Sequence, residues 1–321
     1  MESVRLKDAD ILTLNSQVKV SALVKSLSEN KTKKGDTYLD IVLSDNRRSI
    51  TCKYFNVDSL SVSIQEGDVI EASIKVNEYN GQPSYIISGS KVLSCSPDSY
   101  ILWFDKLDAL KTEFNRLLGE ITNPIYKLFV IKLLDKIQDQ FMSVPAAKSI
   151  HHTEFGGCLA HSTLVALNSK NIAAVYNSVY SGNTEFLDIE LIVAGALIHD
   201  MAKTVELDWN CLSGEVDYTS DSSCLDSHIT LLAEWMTIIA VENRVLESEE
   251  YRLLKHCVLS HHGKLEWGSP VAPSIPEAYI ISCCDKMDAD VWGYFNSLHD
   301  VEEKQSQYCK VGGEFKRVYK K

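Results

Sequence analysis

Polar and apolar positions along this chain keep one period up to about residue 93 and another after it. In the first stretch apolar residues alternate: Val18, Val20, Ala22 and Val24; Leu39, Ile41 and Leu43; Ile50, Cys52 and Tyr54; Ile70, Ala72, Ile74 and Val76. A period of two predicts half-buried strands. Asn80-Gly81, between the segments Lys75–Tyr79 and Ser84–Ile87, predicts a hairpin turn.

Five short strands in residues 16–93 fit a small closed barrel, for which the OB-fold is the commonest choice. Ser94-Cys-Ser-Pro-Asp98 reads as a linker, and helical periodicity follows it. Trp103, Leu107, Leu110, Phe114 and Leu117 mark one helix. Asn123-Pro124 is a capping residue followed by proline at the first helical position, and opens a second helix through about Phe141. Further helices are expected over roughly 159–180, 187–203, 226–246, 249–261 and 275–298. A hairpin or loop around Ser213-Gly214 is expected over 205–219. The expected fold is multidomain: an all-β OB-fold barrel over 1–95, then an all-α helical bundle over 96–321.

Composition adds bounds. A chain of 321 residues with 45% apolar and 24% charged residues suits a soluble globular protein of about two domains. No stretch reads as a signal peptide or a membrane span. The nine cysteines form no C-x-x-C pair, and Cys52, Cys158, Cys257, Cys283 and Cys284 fall in apolar patterns. They are expected to be buried free thiols in a reducing cytoplasm. The net charge of −12 argues against a global field that attracts nucleic acid. It is unevenly spread: residues 1–95 hold 12 basic and 12 acidic side chains, so the excess lies in the remainder. Any nucleic-acid contact must come from local clusters. Lys31, Lys33 and Lys34 in one predicted turn, Arg47-Arg48 in another, and Tyr38, Lys53 and Phe55 form such a cluster. Basic residues interleaved with aromatics suit a single strand, and solvated turns are the alternative.

Candidate chemistry lies in the helical part. The apolar run Leu191–Ile198 closes on His199-Asp200. A buried carboxylate is costly unless it is paired or bound to a metal. His161, His228, His261 and His262 stand at predicted helix ends, and Asp285 lies inside an apolar helix. Singly, each has an ordinary explanation as a core residue, a cap or an ion-pair partner. Jointly they predict a metal-dependent phosphohydrolase site. Lys203, three residues after Asp200, can neutralise a phosphate oxygen or simply cap a helix C-terminus. His256 and His299 lack such context.

The order His161…His199-Asp200…Asp285 resembles that of the HD-domain phosphohydrolase superfamily, and His228 with His261/His262 resembles its two-metal variants. A narrower resemblance, to the YhaM-type 3'-5' exoribonuclease family, covers almost the entire chain. It rests on Lys33-Lys-Gly-Asp-Thr-Tyr-Leu-Asp40, Pro145–His152, Gly156-Gly157, Ala194–Asp200 with Lys203, Leu259–Pro270 and Asp285–Ala289. Glu154, Cys158, Ala160 and Ser227 depart from the family pattern without removing a ligand.

The resemblance implies that His161, His199, Asp200 and Asp285 hold one divalent metal. Asp200 would bridge to a second, held by His228 and His261. Manganese is favoured, and cobalt, iron, nickel or zinc also suit imidazole with carboxylate. Asp200 and Lys203 would carry catalysis. His151, His152, His262, Lys33, Lys34, Tyr38, Arg47, Arg48 and Lys53 would contact substrate, single-stranded RNA or DNA shortened from the 3' end to nucleoside monophosphates. His262 is also readable as a third ligand of the second metal or a support for it, and Trp267 as a base-stacking ring or a plug. Two other functions fit: an HD-domain nucleotide or cyclic-dinucleotide phosphohydrolase, and a non-catalytic single-strand-binding protein. Oligomeric state is not readable from the sequence.

Overall fold

Alternation through residues 17–92 produces five long strands in a computed structural model of the chain. They are β2 (Gln17–Lys31), β3 (Thr37–Asp45), β4 (Arg48–Tyr54), β5 (Val69–Tyr79) and β6 (Gln82–Val92), preceded by the two-residue β1 (Val4–Arg5). The structure describes residues 3–8, 14–46, 48–55, 63–79, 81–148, 152–180, 186–210, 215–219, 225–298, 301, 303–311 and 314–321. The expectations for Asn80, Arg47, His151, Ser213-Gly214 and His299 lie outside the described residues.

Strand order is β1-β2-β3-β4-β6-β5, and β5 returns to pair with β2, which closes the barrel. The β4–β6 pairing is parallel and the other four barrel pairings are antiparallel. This is the five-stranded OB-like barrel that the alternation predicts. β2 takes part in closure on both sides. Its register against β3 shifts between Val24 and Ser26, a bulge that bends the strand. The inward set Val20, Ala22, Ile41, Leu43, Cys52, Ile70 and Ile74 is fully buried.

Compactness divides the chain into residues 1–103 with 209–215, and residues 104–208 with 216–321. Trp103, expected within the first helix, precedes it and belongs to the first unit. The second unit contains α1 (Leu107–Glu120), α2 (Pro124–Phe141), α3 (Gly157–Tyr180), α4 (Ile189–Ile198) and α5 (Lys203–Glu206). After the short strands β7 (Leu207–Asn210) and β8 (Glu215–Tyr218) come α6 (His228–Glu242), α7 (Glu249–Ser260) and α8 (Pro276–Ser297).

Helix starts follow their caps. The Asn123 side chain accepts from the Ile125 and Tyr126 amides, and Pro124 takes the first helical position of α2. Asp188 caps α4 through the Leu191 amide. Glu190, in the first turn of α4, accepts from the Thr122 and Asn123 amides at 2.7 and 2.6 Å and so ties α4 to the start of α2. Every residue of α4 from Leu191 to Ile198 is buried. Gly195 permits that packing: a Cβ there would lie 2.9 Å from Ile281 Cδ1 and 3.1 Å from Cys257 Cβ.

Three expectations are corrected. α4 ends at Ile198, not near 203, because the chain turns at His199–Ala202 before α5 begins. The second part is not all helical: besides β7 and β8, β9 (Ser306–Val311) pairs antiparallel with β10 (Glu314–Tyr319). Only Val311 and Val318 are buried in the described part of that ribbon, too few for a period to stand out. Cys283 is exposed, whereas Cys52, Cys158, Cys257 and Cys284 are buried and free. Among the described residues no helix is long and apolar enough to cross a membrane.

Candidate metal centre

Several elements of the second unit deliver side chains to one buried point. His161 comes from the first half of α3, His199 and Asp200 from the end of α4, and His228 from the start of α6. His261 follows α7, and Asp285 lies within α8. The sequence builds each position locally. A capping box between Ser227 and Thr230 starts α6 at His228. His199 and His261 each turn Nδ1 back to a carbonyl three residues earlier, Ala196 O and Val258 O, both at 2.7 Å. A carbonyl only accepts, so each Nδ1 carries the proton and each Nε2 is left as a lone pair.

Asp200 is the hub. Its Oδ2 accepts from Lys203 Nζ at 2.7 Å and lies 3.4 Å from His199 Nε2 and 3.5 Å from His161 Nε2. Its Oδ1 lies 3.4 Å from His228 Nε2 and 3.7 Å from His261 Nε2. Asp200 Oδ1, His228 Nε2 and His261 Nε2 are buried and have no hydrogen-bond partner. Buried polar atoms without partners are costly, and three facing one another fit a cation. Among the described residues four groups have their donor atoms within 4.8 Å of one another: His161–His199–Asp285, His199–Asp200–His261 and His228–His261–His262 around the hub, and His152–His161–Asp288 behind it. The donor set of imidazoles and carboxylates suits a divalent transition metal.

The electrostatics are those of a desolvated cluster. Burial alone would raise the Asp200 carboxyl, but Lys203 and His199 hold it well below the usual range. Burial alone would lower His161, yet its bonds to Asp285 and Asp288 outweigh that and raise it to about 10. His261 goes the other way, pushed well below its ordinary value by burial and by the neighbouring His262 and His199. Burial opposes the charge on Lys203, and Asp200 more than restores it.

The structure revises several sequence expectations. Lys203 is not on the helix of His199, nor is it a surface cap: it opens α5, is 8% exposed, and bonds Asp200 directly. His152 is not presented at a surface for substrate. It is 2% exposed, and its Nε2 lies 2.7 Å from Asp288 Oδ2. His262 bonds the Trp267 carbonyl through Nδ1 at 2.9 Å, and its ring lies 4.4 Å from that of His261. Trp267 is no plug: it is 45% exposed, and the Lys264 ammonium sits 4.4 Å from its ring centre. The His256 ring accepts from the Ser274 amide through Nε2 at 2.9 Å.

In the first unit Lys33 and Lys34 are exposed in the turn between β2 and β3, and Arg48 begins β4. Tyr38 and Phe55 lie 5.3 Å apart, ring to ring, with Lys53 Nζ 4.5 Å from the Tyr38 centroid. Asp40 shares that lysine at 3.3 Å, a tempering acid that the basic-cluster reading overlooked.

Two supports went unforeseen. Glu206 Oε2 lies 2.9 Å from His228 Nδ1, and Asp288 Oδ2 lies 2.7 Å from His161 Nδ1. Asp288 follows Asp285 by three residues, a spacing that puts both on one helix face and is the signal that could have found it.

Residues 158–290 match the family model of the HD domain. The chain is 28% identical to "3'-5' exoribonuclease YhaM" of Listeria innocua serovar 6a, over 98% of this chain and 95% of that protein. Similar solved structures include the second OB-fold domain of replication protein A from Methanococcus maripaludis, at 19% identity, 26% of this chain, 89% of that one and a TM-score of 0.21. An OB domain from Methanosarcina mazei is similar at 23% identity, 30% of this chain, 89% of that one and a TM-score of 0.25.

Proposed function

From an OB-fold joined to an HD domain, similar to the YhaM-type exoribonucleases along nearly its whole length, we propose that this protein is a metal-dependent 3'-5' exoribonuclease acting on single-stranded RNA. The observation that carries the reading is Asp200, with four imidazole Nε2 atoms within 3.7 Å of its two oxygens. His161, His199, Asp200 and Asp285 would hold one divalent ion, and Asp200, His228 and His261, with His262 adjoining, would hold a second. Manganese fits this donor set, as do cobalt, iron, nickel and zinc. Such ions would supply Lewis acidity and lower the pKa of water at the scissile phosphodiester.

The chain's own residues do the rest. Lys203 remains charged, fixes the Asp200 carboxylate and offers its further donors to a phosphate oxygen as negative charge grows. Carbonyl bonds to His199 and His261 prevent those rings from turning away. Tyr38, Phe55 and Lys53 supply stacking and charge to a single strand, and Lys33, Lys34 and Arg48 add phosphate contacts. DNA is accepted to the extent that the 2'-hydroxyl is not read.

The test is RNA labelled at its 5' end, incubated with the full chain and manganese. Stepwise shortening from the 3' end, abolished in Asp200→Asn, is expected. Strand bound but uncut by the wild type, or hydrolysis of free nucleotides alone, overturns the reading.

A further inference from the structure

The four imidazoles around Asp200 are not held alike. His199 and His261 give their Nδ1 protons to neutral carbonyls, whereas His161 and His228 give theirs to carboxylates, Asp288 and Glu206. A carboxylate partner makes an imidazole a more basic, better-oriented ligand than a carbonyl does. The two carboxylate-held rings stand on different sides of the hub: His161 faces Asp200 Oδ2 and Asp285, and His228 faces Asp200 Oδ1.

Asp288 is itself held. Its Oδ2 takes a second bond, from His152 Nε2 at 2.7 Å. The chain goes to some length to place that donor. His152 has φ +42, in the left-handed region that non-glycine residues enter at a cost. Gly157 makes room, because a Cβ there would collide with the His152 carbonyl oxygen. The rings of Phe104 and Trp292 pack on the imidazole at 5.2 and 5.7 Å. Backbone strain, a required glycine and two aromatic walls converge on one hydrogen bond to a carboxylate that touches a ligand.

We infer that the two ion positions are tuned separately: Asp288, braced by His152, is the positioning residue for the ion at His161, and Glu206 is the positioning residue for the ion at His228. The inference rests on the metal-centre reading above. None of the three residues needs to touch an ion or the RNA. Each acts by deciding which ring nitrogen faces the hub.

The test uses the full chain, stripped with a chelator and titrated with manganese by calorimetry, with circular dichroism and melting run on every variant. The wild type is expected to bind two ions. Asp288→Asn should weaken one of them by about 10–100-fold and spare the other, and Glu206→Gln should do the converse. His152→Gln, which keeps an N–H donor, should stay near wild type, while His152→Leu should shift the same ion as Asp288→Asn by a smaller factor. Because Asp288→Asn and Glu206→Gln are compared directly, the outcome does not depend on His152→Leu folding. Two ions bound with both affinities unmoved, or both moved equally by each variant, overturns the inference alone. A third ion lost in His152→Leu also overturns it, since His152, His161 and Asp288 would then be a site in their own right. A wild type that binds no ion overturns the metal centre itself and this inference with it.

Discussion

Asp200 Oδ1 lies 3.4 Å from His228 Nε2, and both atoms are buried with no hydrogen-bond partner. Without an ion, that arrangement forfeits the interactions water would have supplied. Ion removal should therefore cost stability. At an ion concentration 100 times its dissociation constant, binding adds about 2.7 kcal/mol, an increase in melting temperature of roughly 5–10 °C for a unit of this size. The measurement is a melting curve with chelator against one with manganese. The shift should vanish in Asp200→Asn, and equal melting temperatures with and without ion in the wild type would count against the centre.

The pH dependence of ion uptake follows from His161. With its value raised to about 10, this ring keeps both protons at neutral pH, one toward Asp288 and one toward Asp285. An ion using Nε2 must displace the second proton. Raising the pH toward 10 removes the competitor, so affinity at this position should increase about tenfold per pH unit below that value. His261 is depressed well below its ordinary value and is already neutral there, so the other position should respond less. Calorimetry at pH 7.5 in buffers of different ionisation heat should find about one proton released with the first position filled. No proton release would refute this.

On the barrel, the Tyr38–Phe55 pair predicts where a strand stacks. Phe55→Ala and Tyr38→Ala should each cost about 1–3 kcal/mol of binding, or roughly 5–150-fold in dissociation constant. Lys53→Ala should cost less, because Asp40 already shares its charge. Fluorescence anisotropy with a labelled single-stranded oligonucleotide reads these values, and hydrolysis of a dinucleotide should be unchanged.

Gly195→Ala tests the packing behind the centre. The new methyl must displace Ile281 and Cys257, at a cost of about 1–3 kcal/mol. Urea unfolding should show a lower midpoint with an unchanged slope.

Much of this was legible because burial and polarity conflict visibly in sequence. The run Leu191–Ile198 announces a buried helix, so His199-Asp200 at its end is conspicuous without any coordinates. The barrel was readable for a similar reason, since a period of two survives over long strands such as β5 and β6. The β9–β10 ribbon was not, because its buried positions are few. Glu206 and Asp288 were hidden differently. Acidic residues on helices are ordinarily solvated, and only the fold shows that these two turn inward to His228 and His161. Lys203 was found, but its place was misjudged, because nothing in the apolar run marks where α4 stops.

The burial of α4 from Leu191 to Ile198 also bears on motion. Its amides, from Leu191 to Ile198, have no solvent-facing side, so they are expected to exchange with deuterium only when the whole unit unfolds. His199 and Asp200 are rooted in that slowest-exchanging segment. Local breathing that frees a loop or frays a terminus elsewhere is therefore expected to leave His199 and Asp200 in place as long as the unit remains folded.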